Sequence, residues 1–477
     1  MTGQVPANYA GRPAPAPPAP PAPVPPALAR PAQARTAGAP GARAARTRAG
    51  RSRLGAGTPA VLRLLLISLV LGSVIWGAVA AWSVGLHASA ASEVVSTGEP
   101  VSLAAQQMYQ SLSDADVTAT TAFLSGPDEP LGVREHYQAD IANAAADLAT
   151  LRNAGASAGS QLAGNLATVS TALPLYAGYV QQAQTYSAAG YPLTGGSFMQ
   201  VASEEMHLTL LPAASAIYAR ENAALTAKSA QATGLPLILV AVLLAIAIGL
   251  VLLRTQRWLT RRTHRTVNYG LLLAFAAVVV GTVWLVIAFA AARSDFHQGI
   301  GHGSTPAQAA AQAGIAAQEA RSDEVLNLIS RSGSTSFQAD FTAMSDQIGP
   351  GSGTLLAAAA ASSPAGTGAA AIASAESEAK TWYTASSKVF ALNLAKVDYA
   401  TETSLVIGTA SGSSAADFAR LESDLRQAIA ADQVVFRSNA VAGSGAFGGL
   451  EVGVIIAALL MAAGSAWGLS RRLAEYR

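Results

Sequence analysis

Four long apolar runs set the limits on what this chain can become. They lie at about 60–82, 235–253, 269–292 and 450–469. Each approaches the ~20 residues that an α-helix needs to cross a hydrocarbon core about 30 Å thick. About 150 polar, Ala-rich residues separate the first run from the second, and a similar stretch separates the third from the fourth. Only about 15 residues join the second run to the third. The expected fold is an all-α membrane protein with four transmembrane helices. Two large domains stand on one side of the membrane and almost nothing on the other, a layout suited to listening outside and reporting inside.

Arginine placement orients the spans. The stretch before the first run carries Arg12, Arg30, Arg35, Arg43, Arg46, Arg48, Arg51 and Arg53 and no acid. The second-to-third loop carries Arg254, Arg257, Arg261, Arg262 and Arg265, again without an acid. The end carries Arg471, Arg472 and Arg477 against Glu475. With four spans all three segments face one side, and the positive-inside rule makes that side cytoplasmic. The expectation is a multi-pass protein of the cell membrane with both termini cytoplasmic. All four lysines and nearly all the acids then fall in the outer domains. The formal net charge of +2 hides this division, and a pI of about 8.8 does not here point to nucleic acid. Cysteine is absent, so packing rather than disulfides must hold the outer domains. The first run is longer than the roughly 7–15-residue core of a signal peptide and follows a long lead, so it is expected to remain a span.

The expected plan is a tail over 1–58, a first span over 59–82, a first outer bundle over 83–234 and a second span over 235–253. A basic loop over 254–268, a third span over 269–292, a second outer bundle over 293–446, a fourth span over 447–470 and a short end over 471–477 complete it. The tail is Pro, Ala and Arg with scarcely a large apolar residue, too little to offset ordering entropy, so it is expected to be disordered. Its arginines suit anionic lipid or a cytoplasmic partner.

Both outer domains carry helical heptads. Tyr137, Ile141, Ala144, Leu148 and Leu151 step by four and three, as do Leu162, Leu166, Val169, Leu173, Tyr176, Val180 and Ala183. Leu208, Leu211, Ser215, Tyr218, Asn222 and Leu225 form a third seam, and an earlier helix is expected from about Val101 to Leu124. Such spacing places one apolar seam along each helix, and four helices with three turns make a four-helix bundle. Pro174 and Pro212 are expected to kink their helices. The second domain repeats the plan with seams at Ile315, Glu319, Ser322, Leu326 and Ile329, and at Phe337, Phe341, Met344 and Ile348. Two more run through Trp382, Ser386, Val389 and Val397, and through Phe418, Leu421, Leu425, Ala428, Asp432 and Val435. Tyr137-Gln-Ala-Asp140 matches Phe337-Gln-Ala-Asp340, and His87 and His297 follow their spans alike, so the halves read as an internal duplication with parallel orientation.

Nothing in the sequence carries enzyme chemistry. There is no Gly-rich phosphate loop, no His-Glu-x-x-His and no cysteine nucleophile, and no cofactor or metal is expected. Asp295, His297 and His302 lie close together, but their spacing suits no helix face. The span interiors lack the ionisable residues and broken helices of transporters, apart from Arg63 and Glu451 near span ends. Instead Ser73, Gly77 and Ala81, and Gly445, Gly449, Gly453 and Ala457, repeat at every fourth residue. Small residues at that spacing let helices approach closely, within one chain or across a homodimer seam. Arg257, Arg261, Arg262 and Arg265 either anchor the middle loop on membrane lipids or form a cytoplasmic contact surface for a soluble partner.

A helical bundle bracketed by two spans resembles the sensory half of chemoreceptors and histidine kinases, without an output domain after any span. The tandem, four-span plan over about 60–477 resembles the GlnX-type actinobacterial membrane receptors, and the Ala, Gly and Arg richness resembles high-GC actinobacteria. The resemblance rests on architecture. It implies a receptor through which an outer amino-acid-binding lipoprotein reports aspartate or glutamate to a soluble Ser/Thr kinase, protein kinase G. A docking protein is then expected at the membrane-distal turns, near Asp128, Glu129, Arg134, Tyr191 and Arg331. The rival expectation is a structural or scaffolding envelope protein of cell wall or division.

Overall fold

Alanine- and leucine-rich heptads without strand alternation leave helix as the only regular structure open to this chain, and every regular element among the described residues is helical. The computed structural model describes residues 58–126, 131–154, 160–263, 268–330, 335–349, 351–395 and 399–474. The expectations for the tail 1–57 and for Asp128, Glu129, Arg265, Arg331 and Val397 lie outside them.

The first half comprises α1 (Thr58–Glu93), α2 (Glu99–Ser125), α3 (Leu131–Ala154), α4 (Ser160–Ala188), α5 (Pro192–Glu205), α6 (Leu211–Ala232) and α7 (Pro236–Thr263). The second comprises α8 (Tyr269–Gly299), α9 (Thr305–Ser330), α10 (Thr335–Ile348), α11 (Leu355–Ser362), α12 (Thr367–Leu394), α13 (Tyr399–Ile407), α14 (Ser414–Gly445) and α15 (Leu450–Ala474). Among the described residues, four helical stretches are long and apolar enough to cross a membrane, and each runs on into a bundle. Leu64, Leu243, Val280 and Leu459 on those stretches are exposed, as lipid-facing residues must be. The second helix of the second bundle is split into α10 and α11. The short α13 was not expected.

The four apolar helices close into a ring in which α1 packs on α7 and α15, and α8 packs on the same two. Trp76 sits fully buried between them and donates its indole N–H to the Ala241 carbonyl at 3.1 Å. Small residues make the close approaches. A Cβ on Gly77 would fall 2.5 Å from Ala458, and one on Gly270 would fall 2.5 Å from the Gly468 backbone. Gly453 faces the Trp284 ring. Gly77 and Gly453 therefore serve packing within the chain. His87 ties α1 to the turn before α7, with its ring nitrogens 2.5 Å from the Ser83 carbonyl and 2.9 Å from the Gly234 carbonyl. His297, paired with it in the sequence, is exposed, and the register of the π-turns sets Arg293 rather than His297 opposite His87.

Three prolines are accommodated by one device. Pro100, Pro212 and Pro306 each lie two residues beyond the end of a π-helical turn, at Val94–Gly98, Met206–Leu210 and Ile300–Ser304. In each case the N–H of the residue before the proline bonds the carbonyl five residues back. Proline lacks an N–H and its ring crowds the carbonyl four residues earlier, and the wider turn removes that clash. Pro212 thus follows a π-turn, while α4 continues through Pro174. The helix that enters each bundle consequently leaves the membrane without a break.

The duplication is visible in this geometry. The turn at Val94–Gly98 aligns with the turn at Ile300–Ser304, and the same register pairs Asp116 with Ser322, 206 residues apart. α2 packs on α3 and α6, α9 packs on α10, α11 and α14, and α2 and α9 pack on each other. Both bundles therefore stand at the same end of the spans. Their cores are shared: Val325, Leu326, Leu328, Ile329, Val389 and Val406 of the second half join the apolar core of the first. One seam per helix, as the heptads imply, is too few for α9. Every residue from Ile315 to Ile329 except Glu319 is buried, because α9 is covered on all sides.

Candidate functional site

A helix buried all round should be apolar all round. α9 instead carries Glu319, Arg321, Ser322, Asp323 and Glu324 in succession, and these point two ways. Arg321 and Glu324 face the interior of their own bundle. Arg321 donates to Glu324 Oε2 at 2.5 Å, to Ser414 Oγ at 3.1 Å and to the Val406 carbonyl at 2.5 Å. Ser414 donates to Glu324 at 2.7 Å and accepts from the Trp382 indole at 3.0 Å, while Phe418 lies under the guanidinium.

Glu319, Ser322 and Asp323 face the first bundle, and there the two halves meet. Asp116 of α2 is 1% exposed. Its Oδ2 accepts from Ser322 Oγ at 2.6 Å and Ser203 Oγ at 2.8 Å, and lies 3.3 Å from His207 Nε2. Asp116 therefore bonds its own repeat equivalent, so the axis relating the halves passes through this cluster. His207 is brought in by the π-turn Met206–Leu210, which re-aims the helix one turn before Pro212. Tyr176 closes the cluster, donating to the Ala115 carbonyl at 3.2 Å.

Burial alone would push the Asp116 carboxyl up. The hydrogen bond and charge of His207, with Ser322 and Ser203, outweigh burial and hold it below the ordinary value. Burial alone would lower His207, but Asp116, Asp323 and Glu319 raise it to about 9. Burial pushes Asp323 up to about 8, opposed by His207 and assisted by Asp340, Asp116 and Glu319. Burial also raises Glu319. At neutral pH the cluster holds one buried ion pair flanked by acids that resist ionising.

The sign of the resulting pH dependence is fixed. Asp323 and His207 have folded values above their ordinary ones, so their stabilisation is complete below those ordinary values. It is lost as pH rises through about 8 for Asp323 and about 9 for His207. Asp116 has the opposite sign, and its contribution is lost only in strong acid. The thermal unfolding midpoint followed by circular dichroism is expected to fall steadily from pH 7 to pH 9.5, and Asp323→Asn to flatten the slope. A midpoint that rises over this range would contradict the assignment.

Cavities flank the cluster where bundle meets bundle. One of about 390 Å³ is lined by Asp114 of α2, Asn143 and Asp147 of α3, Gln318 of α9, and Glu422 and Arg426 of α14. A second of about 380 Å³ lies between α2, α6, α9, α10 and α11, with Tyr109, Ser215, Asn222 and Glu319 on its walls. The element order makes these two cavities equivalents under the repeat, yet the first is acidic and the second aromatic.

The residues singled out in the sequence lie elsewhere. Arg134 stands in the first turn of α3, beside a cavity shared with Tyr137 and Gln138, and Tyr191 is exposed just before α5. Arg257 and Arg261 are exposed one turn apart near the end of α7, the helix that also contains Arg262. Asp295, His297 and His302 do not converge, and His302 Nδ1 lies 3.2 Å from the Ser362 carbonyl. Among the described residues the group with metal-ligating spacing is Asp114, His136 and Asp140. Sequence reasoning passed over Asp116 and His207, although Glu319 and Ser322 stood at seam positions. A polar residue in a seam was the available signal.

Residues 90–230, the first bundle, match the family model of an actinobacterial sensor domain. No curated protein and no solved structure matches the chain. The match supports a sensing role for a four-span helical protein.

Proposed function

We propose that this chain is a transmembrane signalling receptor that relays an extracytoplasmic nutrient signal to a separate cytoplasmic protein. The observation that carries this reading is the buried Asp116–His207–Ser322 cluster, set between two bundles whose entry helices run unbroken into the membrane. Asp116 lies 23 residues beyond Glu93, the last residue of α1, or roughly 35 Å of helix. A shift of ~1–2 Å at such a junction is a sufficient signal when two packings are close in energy. Aspartate or glutamate, delivered by an amino-acid-binding lipoprotein, is the proposed input. A soluble Ser/Thr kinase is the proposed output partner, docking on Arg257, Arg261, Arg262 and Arg265. The positive-inside rule supports that orientation.

The test is cross-linking in native membranes with and without glutamate and aspartate, followed by affinity purification and mass spectrometry. Recovery of a solute-binding lipoprotein and a soluble kinase, with yield that follows the amino acid, is expected. Arg257→Glu with Arg261→Glu is expected to cut kinase recovery at least about tenfold, since each replaces attraction with like-charge repulsion. The unfolding midpoint should not move, because both side chains are exposed. Recovery of only wall-synthesis or division proteins, indifferent to amino acids, would favour a scaffold instead.

A further inference from the structure

Beside the first cavity, which Asp114 lines, stands a cluster that the signalling reading does not use. His136 and Asp140 stand one turn apart on the same face of α3 and point toward Asp114 of α2. His136 Nε2 is 3.3 Å from Asp114 Oδ2 and 3.6 Å from Asp140 Oδ1, and all three ligand atoms lie within 4.8 Å of one another.

These separations are long for an imidazolium paired with carboxylates, where N–H···O distances run about 2.7–2.9 Å. They match the edge of a metal tetrahedron, which for bonds of about 2.1 Å is roughly 3.4 Å. A proton on Nε2 can serve only one of the two carboxylates. Asp140 is 5% exposed, and its Oδ2 is buried without a hydrogen-bond partner. A buried carboxylate oxygen in that position normally has a cation or a donor.

We infer that Asp114, His136 and Asp140 form a three-ligand site for a first-row divalent cation of the Zn²⁺ class, with a fourth coordination position left open. One imidazole and two carboxylates suit Zn²⁺ better than Mg²⁺, which prefers oxygen ligands alone and keeps its water. Three protein ligands leave room for a fourth, as in open zinc sites. The site stands whether or not the chain signals, because its geometry depends only on α2 and α3.

The experiment uses the full chain in detergent, free of any histidine tag and stripped with a chelator. Zn²⁺ or Mg²⁺ is then titrated by calorimetry, and bound metal is counted by mass spectrometry after desalting. One Zn²⁺ per chain is expected, with Mg²⁺ binding at least about tenfold weaker. His136→Gln is expected to weaken Zn²⁺ binding on the order of 100-fold, since losing a direct ligand exceeds the 10–100-fold typical of outer-shell losses. His136 is 46% exposed, so that variant should fold. Asp140→Asn should weaken Zn²⁺ binding comparably, and circular dichroism will show whether it folds. No stoichiometric Zn²⁺, or Zn²⁺ binding unchanged in His136→Gln, would overturn the site.

Discussion

Arg321→Leu is expected to lower the unfolding free energy by about 3–5 kcal/mol, because it strands a buried carboxylate. Arg321 is 2% exposed and Glu324 0% exposed. Glu324 Oε2 now accepts from Arg321 and Ser414, while Oε1 has no hydrogen-bond partner even with the arginine present. Removing the guanidinium leaves one hydroxyl to hold the charge and also frees the Val406 carbonyl at the end of α13. In a domain of this size the loss corresponds to roughly 6–20 °C in the unfolding midpoint. The double change Arg321→Met with Glu324→Gln should recover most of it, since a buried pair contributes little over an uncharged replacement. Thermal and denaturant unfolding of the three proteins decides the matter. A single-variant loss under about 1 kcal/mol would show that water reaches this cluster and that the pair is not the keystone of the second bundle.

Asp116→Ala is expected to separate the two bundles while leaving each one helical. The change removes the acceptor of two hydroxyls and the counter-charge of His207 together. Stranding buried donors and one charged partner is worth about 3 kcal/mol or more. The effect should be local in a way that the Arg321 change is not. Amides of α5 and of the turn at Met206–Leu210 are expected to exchange hydrogen at least about tenfold faster, while the interior of α12 and α14 stays protected. Asp116→Asn keeps the shape and an acceptor, so it should cost less and show its effect on the pH profile, because the charge that holds His207 protonated is gone. If exchange in α5 is unchanged in Asp116→Ala, the cluster does not join the bundles. On the signalling reading, the same variant should leave the spans inserted but end amino-acid-dependent recovery of the cytoplasmic partner.

The two changes act on opposite faces of one helix, and that arrangement gives α9 its role. Its polar residues divide between its own bundle and the neighbouring one. A rotation of α9 that improved one set would strain the other. A buried polar network that can be satisfied in only one register specifies that register more sharply than an apolar surface can.

Much of this architecture was readable along the chain. Run length and polarity set the four spans, because crossing a hydrocarbon core is a demand made on each segment separately. The helix breaks at Gly349–Gly353 and Gly408–Ser414 were readable because turn residues act locally. So were the seams, since a heptad reports the face that a helix buries first. What the chain could not declare was which second face would be buried, and against what. Asp116, Ser203, His207 and Ser322 are separated by up to 206 residues and share no motif. Their meeting depends on two bundles docking along α2 and α9 and on a π-turn that redirects His207. The shape of three-dimensional packing decided it, because burial of a polar side chain is a property of its neighbours, and sequence periodicity records only the helix on which it sits.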